Sequence, residues 1–161
     1  MRKLLAVCVL GLCLTAATFA EHPEGWGIGV SGSGGWTGGG VGSGTLLLKV
    51  PSIPVYWGLD FGGYNNWFWF SINGDYYLID KTLVPDINLG WYAGLGGHLG
   101  FGGGSATIAF RFPIGLSWQL PIQSFINTFE VFLEVVPTIG LSIPINLYGG
   151  VGGALGLRVW F

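Results

Sequence analysis

The chain has 161 residues, of which 9% are charged, 50% apolar and 16% aromatic. So few charges exclude an ordinary soluble globule, whose surface is roughly a quarter or more charged. A formal net charge of −2 with no basic patch gives no grounds for a nucleic-acid partner.

Residues 1–20 read as a secretory signal. Arg2 and Lys3 form the basic start and residues 4–14 the apolar middle. The small-residue stretch ends at Ala20, where cleavage is expected. The apolar run is shorter than the roughly 20 residues that a spanning helix needs. Cys8 and Cys13 follow Val7 and Leu12, not the small residue that lipoprotein processing normally wants. Cleavage would leave residues 21–161, a single 141-residue domain without cysteine. With Arg2 and Lys3 gone, its formal net charge is −4.

Stretches 89–110 and 135–157 carry no formal charge, yet neither suits a helix. The first holds Gly90, Gly94, Gly96, Gly97 and the run 102–104; the second holds Pro137, Pro144 and several glycines. Each interior glycine costs a helix roughly 1 kcal/mol and each proline about 3. Only helices and closed barrels span membranes, because unpaired backbone groups in hydrocarbon are costly. The apolar alternation divides into eight segments, at roughly 26–33, 44–50, 54–62, 67–79, 88–101, 105–119, 128–137 and 148–161. The last is the clearest: Val151, Leu155, Leu157 and Val159 share one parity, and Gly152, Ala154, Gly156 and Arg158 the other. The expected fold is all-β: an eight-stranded antiparallel up-and-down transmembrane β-barrel. The glycine-rich stretch 32–44 is expected as the first surface loop, followed by loops at 62–66, 101–105 and 138–147.

A soluble lipocalin-like barrel alternates in the same way, with its apolar face inside. Here that face carries Val55, Trp57, Leu59, Phe61, Phe68, Phe70, Ile72, Tyr76, Leu78, Leu89, Trp91, Leu95, Leu99, Phe101, Ile108, Phe110, Phe112, Ile114, Leu116 and Trp118. An eight-stranded bore is just wide enough for side chains and would not hold all of these. They are expected outside against lipid, with the face of Gly, Ala, Ser and Thr inside. Lys49, Asp60, Asp75, Arg111, Glu130, Glu134 and Arg158 all fall on that small face. A lipid-facing Lys or Arg at mid-depth would cost roughly 2–4 kcal/mol. Glu21 and Glu24 are assigned to the tail, and Asp80, Lys81 and Asp86 to the turn after the fourth strand. Trp26, Trp57, Trp91 and Trp118 lie outward near strand ends, as an aromatic girdle requires.

Buried ions need partners. Hairpin geometry suggests Arg111 with Glu134, across a turn near residue 123, and Arg158 with Glu130. Lys49 is expected beside Asp75. His98 is expected as the only histidine of the barrel, facing inward within the charge network. Ser71 and Asp60 lie one and two strands away, too loose a constellation to assign acyl hydrolysis. No residues are assigned to catalysis, to a metal or to a cofactor. No Cys, His or carboxylate cluster has ligand spacing, and no P-loop lysine follows the glycine runs.

Arg111-Phe-Pro-Ile-Gly-Leu-Ser-Trp118, then Phe129-Glu-Val-Phe-Leu-Glu-Val-Val-Pro137, then the strand 149–161, resemble the small eight-stranded outer-membrane barrels of spirochaetes. Those are themselves similar to OmpX and OmpW barrels. Asp75-Tyr-Tyr-Leu78 resembles the family's fourth strand. The match is good over the second half and weaker over residues 32–66. The resemblance implies an outer membrane of a double-membraned bacterium, with its lipid, periplasmic chaperones and barrel-insertion machinery as partners. It also implies that Val159 and Phe161 form the C-terminal signal read on insertion.

Three functions stay open at this point. One is a structural or surface-interaction barrel, with a polar plug in its bore. The second is a narrow conduit for small or hydrophobic solutes in the OmpW manner, for which the apolar stretch Ile139, Leu141, Ile143, Ile145 and Leu147 could line a mouth or simply extend the strands. The third is a lipid-modifying enzyme, ranked last. Oligomeric state is not legible in the sequence.

Overall fold

Period-two alternation produces strands throughout, and the strands close on themselves. The computed structural model describes residues 22–35, 42–64, 67–122 and 125–161. The expected export signal with its two cysteines, Glu21, residues 36–41 and 65–66 of two expected loops and the turn centre near 123 lie outside the described residues. The strands are β1 (Gly27–Gly35), β2 (Ser43–Lys49), β3 (Tyr56–Tyr64), β4 (Trp67–Val84), β5 (Leu89–Gly102), β6 (Ser105–Arg111), β7 (Ile114–Pro121), β8 (Thr128–Ile143) and β9 (Asn146–Trp160). All pairings are antiparallel between neighbours, and β1 pairs with β9 to complete the ring.

The nine strands make eight staves. β6 and β7 both lie between β5 and β8 and are separated only by Phe112-Pro113. Pro113 has no N–H to give the ladder. The wall continues regardless. Phe112 donates its N–H to the Pro137 carbonyl at 2.9 Å, and Gly94 donates to the Pro113 carbonyl at 2.8 Å. Arg111 and Ile114 keep one common register with both neighbours, so inward and outward parity survive the break.

Two expected boundaries move. β8 and β9 run on through the stretch expected as the loop 138–147, leaving only Pro144-Ile145 as the turn. Ile139, Leu141, Ile143 and Leu147 therefore extend a hairpin and do not form a loop. β4 also continues past residue 79 to Val84, so Asp80 and Lys81 are strand residues, not turn residues. Within it, a bulge between Tyr77 and Ile79 adds one residue opposite β5. Straight alternation from Tyr76 would turn Asp80 outward. The bulge resets the parity and brings Asp80 inside, opposite the buried Tyr92.

The interior is not merely small. Large inward groups include Tyr56, Trp69, Tyr77, Tyr92, Phe132 and Trp160, and the last is fully buried. They fit because glycines stand directly across the ladder. Tyr92 pairs with Gly115, Phe132 with Gly156, Trp69 with Gly62 and Trp160 with Gly27. A methyl added at Gly115 would sit 2.3 Å from the Tyr92 ring, and one at Gly156 2.4 Å from Phe132. Inward glycines are thus the sockets for inward aromatics. This corrects the expectation of a small-residue bore.

Candidate functional site: a plugged polar interior

The alternation that builds the wall also sorts its chemistry. Phe110 is 64% exposed, whereas its neighbour Ala109 is 5% exposed. Large apolar groups are exposed on every stave, from Ile28 and Val30 on β1 to Leu155 and Leu157 on β9. Lys49, Asp60, Asp75, Glu130, Glu134 and Arg158 are buried inside, with Arg111 beside them. Trp26, Trp57 and Trp118 are exposed on the outer face and Trp91 is half-buried. These four lie toward the end of the ring that carries both described chain ends. Trp118 donates its indole N–H to the Ile87 carbonyl at 2.9 Å, tying that side chain to the β4–β5 turn. Val159 lies on the outward parity of β9. Phe161 donates its N–H to the Trp26 carbonyl and packs its ring 5.3 Å from that of Phe125.

Two expected ion pairs form. Arg158 Nη1 donates to both carboxylate oxygens of Glu130 at 3.0 Å. Arg111 Nη2 lies 3.4 Å from Glu134 Oε1. Lys49 does not reach Asp75. In register, Tyr56 stands between them, opposite Lys49 on one side and Asp75 on the other. Lys49 instead donates to the Val50 carbonyl at 2.9 Å and stands 5.5 Å from the Tyr56 ring centre. Asp75 takes Arg111 as its cation, with Nε 3.0 Å from Oδ1, close enough for attraction but too poorly aligned for a hydrogen bond.

Asp60 accepts hydrogen bonds from Thr45 at 2.6 Å, Ser71 at 2.7 Å and Asn73 at 2.9 Å. Three donors hold the carboxylate in place of a cation. They also commit the Ser71 hydroxyl to Asp60, while His98 Nε2 faces the Thr107 hydroxyl at 3.5 Å. The loose His98, Ser71 and Asp60 constellation does not assemble into a nucleophile–base pair.

The largest departure from the sequence reading is His22, which lies between the tail residues Glu21 and Glu24; the sequence points to His98 as the only histidine inside. His22 instead enters the ring from the end with the termini and is 3% exposed. Its Nδ1 lies 2.7 Å from Asp80 Oδ2 and its Nε2 3.1 Å from Glu130 Oε1. Its backbone N–H donates to Asp80 Oδ2 as well, at 3.2 Å. Tyr56, Tyr77, Tyr92 and Trp160 stand around the imidazole with ring centres 5.5–5.9 Å away. The three tyrosines form a stack, at 4.1 and 4.3 Å. Trp160 Nε1 donates to Glu130 Oε2 at 2.7 Å, so Glu130 accepts from Arg158 and Trp160 while facing His22. Burial alone would lower the His22 pKa. The Glu130 charge and the contacts with Asp80 outweigh it and raise the value to about 9, so the ring carries a proton at neutral pH.

Beyond this layer the interior opens into a cavity of about 310 Å³. Tyr56, Tyr77, Phe132 and Arg158 line it on the side toward His22, and Ser31, Ser33, Asp60, His98 and Tyr148 line it further along. The outcome is a polar chamber closed at one end by a charged, aromatic plug. The only sequence clue to the plug was a lone histidine shortly before the first strand.

Comparison with family models, curated proteins and solved structures finds no match for this chain.

Proposed function

We propose that this chain is an integral β-barrel of a bacterial outer membrane, exported with cleavage after Ala20. Its role is structural or surface-interacting, and its bore is shut at the end that carries the termini. The observation behind this reading is the division of the wall: large apolar groups exposed on every stave, ionised groups kept inside except Lys81 near the end of β4, beside the girdle residue Trp91. In water an apolar belt of this extent would drive association. In hydrocarbon it is the required exterior, and the closed ladder leaves no unpaired edge. The four tryptophans toward one end fit an interfacial girdle. The resemblance to small spirochaetal barrels of the OmpX and OmpW kind points the same way. On this reading the lipid of the outer membrane, chaperones and insertion machinery are the partners, with Val159 and Phe161 as the insertion signal.

Refolding residues 21–161 into detergent tests the reading. A folded barrel migrates differently before and after boiling. Spectroscopic labels at Phe110 and Arg111 then report orientation in vesicles. Lipid-soluble quenchers should reach position 110 and spare position 111. Equal or reversed quenching would refute it.

A further inference from the structure

We infer that the barrel is a conduit for small cations that is held shut by its own N-terminal segment, with His22 as the stopper. The inference rests on the membrane reading above and goes beyond it. His22 is not part of the wall. It comes from the short segment ahead of β1, yet it fills the space between four aromatic rings and two carboxylates. The aromatic groups and carboxylates belong to β3, β4, β5, β8 and β9, and the rings and Glu130 are held by contacts of their own. Tyr56 and Tyr77 stack on each other, Tyr77 on Tyr92, and Trp160 is bonded to Glu130. Withdrawing the tail would therefore vacate an imidazole-sized space in an intact wall, next to Tyr56, Tyr77 and Arg158, which line the near side of the chamber. A structural plug built from wall residues would lack this property.

Charge sets the class of solute. The described interior holds five carboxylates against the cations Lys49, Arg111 and Arg158. His22 supplies the fourth positive charge. When it leaves, Asp80 loses its ion-pair partner and Glu130 keeps Arg158 as its cation and the Trp160 indole as a neutral donor. The described interior is then left with five carboxylates against three cations, and a negatively charged constriction selects cations. The groups facing His22 are Asp80 and Tyr77 from β4, Glu130 from β8, Tyr56 from β3, Tyr92 from β5 and Trp160 from β9. Loss of the imidazole proton removes its charge and leaves one ring N–H for two carboxylates, which makes alkaline pH a means of loosening the stopper.

The test is planar-bilayer recording in potassium chloride with the full exported chain and its His22→Ala variant. Wild type should be silent at pH 7 and should gain conductance several-fold as pH rises through about 9. His22→Ala should conduct already at pH 7, independently of pH, with a reversal potential on the cation side under a salt gradient. A His22→Ala barrel that still shows the heat-dependent migration shift but stays silent overturns the inference. So does a wild-type current that is the same at pH 7 and pH 10, a measurement needing no variant, and so does anion selectivity. Absence of the migration shift in wild type would instead sink the membrane reading, a separate failure.

Discussion

His22 and Asp80, 58 residues apart in the chain, meet at 2.7 Å inside the ring. Neither position announces this contact. One precedes the first strand, and the other is turned inward only by a bulge. Together with Glu130 they join the N-terminal segment to β4 and β8.

That contact predicts a stability that falls at alkaline pH. The folded-state pKa of His22, about 9, lies above the ordinary value of 6.5. The folded state therefore holds a proton that the unfolded chain gives up. The stabilisation is complete below pH 6.5 and is lost as pH rises through 9. Urea midpoints in detergent, wild type against His22→Ala, should converge across that window. A gap that widens with pH would contradict the assignment.

Arg111 is the shared cation of Asp75 and Glu134. Arg111→Ala should destabilise the barrel by about 3 kcal/mol, the lower end for a broken buried pair, because the polar chamber beside it can admit water. Adding Glu134→Ala should recover part of this loss. The coupling is read from a double-mutant cycle, and strict additivity would show that the two groups do not interact.

The glycine sockets predict an asymmetry between two similar substitutions. Gly115→Ala places a methyl 2.3 Å from Tyr92 and should cost about 1–3 kcal/mol by overpacking. Gly97→Ala meets no atom within 4 Å and should leave the unfolding midpoint nearly unchanged. Tyr92→Leu should relieve part of the Gly115→Ala penalty. Equal effects at Gly115 and Gly97 would remove the socket explanation.

The bulge predicts an unusual tolerance. Deleting one strand residue normally sends every following side chain to the opposite face. Deleting Leu78 should instead regularise β4, leave Asp80 inward beside His22, and preserve the heat-dependent migration shift. Deleting Ile72, which lies in a regular part of the β3–β4 ladder, should abolish it. Loss of the shift in both deletions would show that the bulge does not set the register.

Much of the wall was legible in the sequence because strand alternation is a local property. Residues such as Phe110 and Arg111 differ in character at adjacent positions, and their opposite sides follow from backbone geometry. The Arg158–Glu130 and Arg111–Glu134 pairs were legible for a related reason, since each joins neighbouring staves. Lys49 and Asp75 failed because Tyr56 fills the register position between them. Asp80 failed because the sequence places it in the turn, whereas β4 runs on to Val84 and a bulge that leaves no distinct mark in the composition sets its parity. The inward aromatics were underestimated because a glycine reads as filler until its cross-strand partner is known.

The sequence by itself determined the all-β class, the number of staves and the sorting of greasy from ionised faces. Each depends on an alternation repeated along many residues, which no single contact can reverse. Only the tertiary structure decided what occupies the bore. His22, Asp80, Glu130 and the tyrosine stack come from separate parts of the chain, and only closure of the ring brings them within reach of one another.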